Sequence, residues 1–193
     1  MKKIKAGLLP LYIKLYDDAW PELRSRLEAF YDKTADIISG LGFEVIKTAF
    51  CRLENEFERA VADFESQGTD CVVTLHLAYS PSLESAAALS GTKLPIIVFD
   101  TTQTCDFSPE QSQDEILYNH GIHGVMDMCA LLRRNGKKYA ICAGYYEDDT
   151  VKQRLSRLIR TAAAARAMSG MRTGAIGGEF SGMGDFKVSD AEL

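Results

Sequence analysis

An open, mostly parallel β-sheet with helices on both faces is the fold class this sequence predicts, and three observations predict it. Short apolar runs alternate with amphipathic helical runs at a steady rhythm. The apolar run at residues 70–76 is too even to keep one face in water, which places it between layers of helix. No internal repeat or low-complexity stretch interrupts the alternation. Crossover connections between such units give a three-layer, flavodoxin-like sandwich.

The elements follow in order. Residues 4–9 read as a strand ended by Pro10, and residues 11–16 as an irregular loop. A helix follows, with Pro21 in its first turn, Leu23, Leu27, Phe30, Tyr31, Ile37 and Ile38 at helical spacing, and Gly40 and Gly42 as stops. Residues 43–49 form the second strand. Residues 55–67 form a helix with Phe57, Ala60, Val61 and Phe64 on one face and Gly68 beyond its end. After the third strand come a short helix at 82–89, a fourth strand at 95–99 and a long polar loop at 101–113. Val125, Met128, Cys129 and Leu132 mark the next helix, closed by a basic last turn and Gly136. A fifth strand at 138–143 and a helix from about 149 to 168, stopped by Gly170, complete a domain over residues 1–170.

Composition narrows the function. The 193 residues are 46% hydrophobic and 25% charged, ordinary for a soluble globular chain, and the formal charge of −5 argues against a nucleic-acid groove. No run reaches a transmembrane length, and the apolar run after Lys2, Lys3 and Lys5 breaks at Lys14 and lacks the small-residue cleavage site of a signal peptide. Five scattered cysteines without a CxxC pair suggest a reduced, cytoplasmic setting. Cys71 and Cys142 lie in strands, so Cys105, in a polar loop, is the candidate for reactivity.

In an open parallel sheet the ligand crevice lies beyond the carboxyl ends of the strands. Residues 10–17, 76–81, 100–106, 118–124 and 144–148 should therefore converge, and they hold all three histidines, His76, His120 and His123. The first loop has neither a dinucleotide fingerprint nor a flavin-phosphate run, and the chain has no nucleophile elbow or zinc helix. The glycines at 174–178 lack the helix a phosphate loop needs. His120 and His123 sit near a helix N-terminus, where unpaired N–H groups suit a hydroxyl-rich or anionic ligand and disfavour protonation of an imidazole. Spaced three apart they could share a metal, but no carboxylate or thiol clusters with them, so His120 reads as structural. His76, ending a buried strand, reads as a hydrogen-bonded structural histidine. Glu147, Asp148 and Asp149 read as a solvated helix start rather than a metal cluster.

Thr74-Leu75-His76-Leu77-Ala78-Tyr79-Ser80-Pro81, Tyr118-Asn119-His120-Gly121-Ile122-His123-Gly124 and Gly177-Gly178-Glu179-Phe180-Ser181-Gly182-Met183-Gly184-Asp185-Phe186 together resemble the L-arabinose and L-fucose isomerase family. The likeness runs from about residue 70 to 186 and is fainter before that. It implies carbohydrate metabolism: an isomerase interconverting aldoses and ketoses with Mn2+ or another divalent cation, through an ene-diol. It carries His123 over as a histidine reaching the sugar, Tyr79 as an aromatic wall, and Gln103 and Asn119 as polar neighbours. Asp185 is either a second-domain site residue or a turn former.

The family's metal ligands and acid/base pair lie downstream of the Gly-Met-Gly-Asp-Phe segment. The resemblance therefore implies an N-terminal domain that closes over the site of a neighbouring subunit in a homo-oligomer, in the family often a hexamer. Residues 171–193 would open a second domain. No catalytic residue and no metal ligand is assigned to this chain, which alone should neither bind Mn2+ tightly nor isomerise a sugar. The first loop departs from the arabinose isomerase pattern, so the resemblance leaves a sugar contact from Tyr12, Lys14 or Tyr16 open. The alternative is a stand-alone carbohydrate-binding module without catalysis.

Overall fold

The computed structural model describes residues 3–172 and, beyond them, residues 174, 182 and 189. Five strands, β1 (Lys5–Leu11), β2 (Glu44–Lys47), β3 (Cys71–His76), β4 (Ile96–Asp100) and β5 (Tyr139–Ala143), form one sheet, parallel throughout, in the order β2-β1-β3-β4-β5. Among the described residues seven α-helices accompany them, α1 (Lys14–Ala19), α2 (Leu23–Gly40), α3 (Glu54–Ser66), α4 (Ser82–Gly91), α5 (Ile116–Asn119), α6 (Gly121–Arg134) and α7 (Asp149–Ser169), with one 3-10 turn at Gln113–Glu115 before α5. This is the open three-layer fold that the alternation of runs predicts, with the strand order of the flavodoxin-like class.

Two apolar clusters separate the layers. On one face Leu8, Val73, Leu75, Phe99 and Cys142 pack under Leu27, Phe30 and Ile38 of α2 and Leu155 and Ile159 of α7. On the other, Leu9, Leu11, Val72, Ile96 and Val98 pack under Phe57 and Phe64 of α3, Leu89 of α4 and Met128 and Leu132 of α6. Every residue of β3 is buried, so burial on both faces stabilises this strand where alternation would have left half of it wet.

Three local differences from the sequence reading shape the site. β1 does not stop before Pro10 but runs through it to Leu11. Pro10 presents its carbonyl to Cys51 N, on the side where β2 has already ended at Lys47, so its missing N–H removes no ladder bond. Residues 14–19 are not irregular: they form α1, placing Tyr16 one turn in. The histidine stretch is two helices rather than one, broken at His120, whose φ of −98° and ψ of 26° end α5 and start α6.

The strand order fixes where a ligand would sit. From β1 the chain turns toward β2, whereas from β3 it turns the other way, toward β4. The connections diverge between the carboxyl ends of β1 and β3, the switch point at which open α/β sheets leave a crevice.

Candidate functional site

Four rings meet at that switch point. Tyr16 arrives from the turn after β1, Tyr79 from the segment after β3, and His120 and His123 from the start of α6, after β4. The Tyr79 and His120 rings are stacked at 6.5 Å between centroids, and His120 lies 6.1 Å from both Tyr16 and His123. The Tyr16 hydroxyl is 3.1 Å from His120 Nε2, and His120 Nδ1 is 2.6 Å from the Ile116 carbonyl oxygen. Tyr79 and His120 are half-buried, and His123 is exposed on the first turn of α6. Burial, with a smaller contribution from His123, pushes the His120 pKa below the usual imidazole range; burial and the neighbouring Tyr79 push the Tyr16 phenol up. Both shifts favour the uncharged forms of His120 and Tyr16, which leaves hydrogen-bonding groups mounted on flat apolar faces.

His76 ends on the same side of the sheet but inside it. It is 4% exposed, with Gly124 of α6 directly against its ring and Gly121 against its Cβ and carbonyl oxygen. A Cβ at Gly121 would come 2.9 Å from His76 Cβ, and one at Gly124 2.7 Å from His76 Cδ2. Those two glycines let α6 settle onto the end of β3, which sets the height of His120 and His123 above the sheet. The expected hydrogen-bonded histidine is a correction here: both ring nitrogens are buried without a partner, and desolvation pushes the pKa down to about 3. His76 therefore supports the rim from beneath and is not part of its exposed surface.

Gln103 and Asn119 are held by the protein itself. Asn119 accepts from Thr104 N through Oδ1 and donates through Nδ2 to the Glu115 carbonyl, which pins the 101–112 segment to α5. Gln103 Oε1 accepts from Arg26 Nε at 3.0 Å, while its Nε2 is buried without a partner. Arg26, on α2, also pairs with Glu115, its Nη1 2.6 Å from Oε1, and its guanidinium carbon lies 3.9 Å from the Tyr118 ring centroid. This pairing holds the Glu115 carboxyl below the usual range. Beside it the 107–119 stretch lines a cavity of about 590 Å³ that includes Phe107, Ile116 and Asn119.

The remaining candidates resolve locally. Asp148 caps α7, accepting from Thr150 N and Val151 N, and Glu147 pairs with Lys33 and accepts from the Tyr145 hydroxyl. Cys51, Cys71 and Cys142 are buried, and Cys105 is exposed in the loop where the sequence places it. Among the described residues no group of three or more His, Cys, Asp or Glu side chains comes together as a metal-ligand set. No described helix is long and apolar enough to cross a membrane. Asp185 and the glycine-rich stretch at 177–186, apart from Gly182, lie outside the described residues.

Sequence reasoning missed Tyr16 and the role of His120. The available signal was the spacing of His120 and His123 on one helical turn. What it lacked was Tyr16, because the turn after β1 carries no periodic pattern that marks α1 as a helix. A comparison of the chain with protein-family models finds no match, and a comparison with curated proteins finds none either.

Proposed function

We propose that this chain is the N-terminal, substrate-closing and assembly domain of a metal-dependent aldose–ketose isomerase, contacting the sugar through the ring cluster at its switch point. The observation that carries this reading is the meeting of Tyr16, Tyr79, His120 and His123 at the carboxyl ends of the strands. A sugar offers C–H faces and a fan of hydroxyls. Aromatic faces match the first, and imidazole and phenol hydrogen-bonding groups match the second. The likeness of the 74–81, 118–124 and 177–186 stretches to the arabinose and fucose isomerases supplies the reaction class. In this reading the cation and the proton-moving carboxylates come from residues other than those described, and a second subunit, within a homo-oligomer of cytoplasmic setting, brings them to the rim.

The chain's own part is to orient the substrate and exclude water. His123, exposed at the start of α6, reaches a sugar hydroxyl. Tyr79 walls one face, and Gln103 and Asn119 hold the loop beside the rim. Orientation of this kind lowers a barrier by fixing the reacting carbons before proton transfer begins.

The test is titration of the chain with L-fucose and with L-arabinose, followed by two-dimensional NMR. Millimolar binding is expected, with shifts confined to residues around 16, 79 and 120–124, and it should weaken about tenfold in His123→Ala, the loss of one good hydrogen bond. Shifts absent for both sugars at high concentration, or scattered away from the rim, would refute the reading.

A further inference from the structure

One hydrogen bond in the ring cluster has its direction set by its neighbour. The group beside His120 Nδ1, 2.6 Å away, is a carbonyl oxygen, that of Ile116. A carbonyl only accepts, so Nδ1 carries the proton. In a neutral imidazole the other nitrogen is then a bare acceptor, and the group 3.1 Å from Nε2 is the Tyr16 hydroxyl. Tyr16 must donate to it. With its one proton spent on His120, the phenol oxygen has only lone pairs left to offer a ligand.

We propose that Tyr16 is a specificity-determining residue of the rim, held by His120 as an acceptor, so that at this point the site selects a ligand hydroxyl and rejects a group that can only accept. The inference rests on the carbohydrate reading and deepens it. The geometry that fixes it is local: α5 ends at His120, which brings the Ile116 carbonyl one helical turn back onto Nδ1. The stacked Tyr79 ring keeps the imidazole plane in place. Among the described residues the titratable groups in contact with the His120 ring are Tyr16 of α1, Tyr79 after β3 and His123 of α6; no carboxylate is among them to stabilise an imidazolium. His120 is a positioning residue here and acts through Tyr16.

Nitrogen-15 spectra of the histidine rings test the assignment on the chain alone. His120 should appear at pH 7.5 as the Nδ1-protonated tautomer, the less common one, with an unprotonated Nε2. In Tyr16→Phe, which keeps the ring packed against Trp20 and Tyr12, the tautomer should persist while the Nε2 resonance moves toward the value of an unbonded nitrogen. A His120 ring protonated on Nε2 would overturn the proposal, as would an Nε2 resonance indifferent to the loss of the phenol. The ligand arm uses L-fucose and its mono-O-methyl ethers. One ether should bind about tenfold more weakly than L-fucose to the wild-type chain and equally with L-fucose to Tyr16→Phe. A ratio of ether to L-fucose affinity that is the same in wild type and in Tyr16→Phe for every ether would remove the residue from the site. Wild-type protein with the assigned tautomer that binds no sugar would instead sink the carbohydrate reading.

Discussion

Gly124 is the residue on which the height of the rim turns, and two opposing effects make its replacement decisive. Alanine in a helix interior is favoured over glycine by up to about 1 kcal/mol. Against that, the new Cβ would sit 2.7 Å from His76 Cδ2 and 2.9 Å from the Ser80 carbonyl oxygen, which belongs to backbone and cannot swing aside. Overpacking of this kind costs about 1–3 kcal/mol, so the contact should win. Gly124→Ala is expected to lower stability by roughly 1–2 kcal/mol in urea denaturation, whereas a gain would mean that α6 stands off the end of β3. The residue scale is also where the sequence was least informative. Spacing alone put His120 and His123 on one turn, but only a three-dimensional neighbour distinguishes His120, linked to Tyr16, from His76, with no partner at all. Asn119 and Gln103 illustrate the same limit: their chemistry suits a sugar, yet protein groups already hold three of their four amide atoms.

At the scale of elements, periodicity located every described strand and each of the longer described helices within a few residues, because burial of one helical face or of a whole strand leaves a pattern that survives in one dimension. The failures are short elements whose conformation is set by tertiary contacts. α1 spans six residues and has no buried residue; its place follows from packing, with Tyr16 between Tyr12, Trp20 and His120. The 101–119 stretch is likewise held from outside, by Arg26 of α2 reaching Gln103, Glu115 and the Tyr118 ring. Both ionic partners are partly exposed, so the pair itself contributes little to global stability. Its effect should instead be local. Arg26→Ala is expected to change the free energy of unfolding by less than about 1 kcal/mol while raising hydrogen exchange across residues 103–118 about tenfold or more. Exchange unchanged there would mean that Asn119 and the α5 turn order the segment unaided.

For the molecule as a whole, the buried histidine ties the site to the stability of the fold. His76 is neutral in the folded chain, its pKa pushed down to about 3, whereas in the unfolded chain it would titrate near 6.5. A depressed histidine pKa means that the unfolded state binds the proton first. Its cost is therefore absent above about pH 6.5 and grows as pH falls toward 3, at up to about 1.4 kcal/mol per pH unit. Asp100 is the last residue of the neighbouring strand β4, and burial raises its pKa, so that group has the opposite sign and favours the folded state as acid is added. Glu56 and Glu115, held low by their arginines against a smaller or larger burial penalty, lose their contribution on acidification. A single acid titration sums these effects, but the comparison with His76→Leu removes one of them, because the carboxylates are common to both proteins. Between pH 6.5 and 4 the wild-type chain should lose more stability than the variant, by up to about 1.4 kcal/mol for each unit of pH. Parallel curves from chemical denaturation at several pH values would mean that His76 has a hydrogen-bonding partner in solution, and with it that α6 does not seal the end of β3.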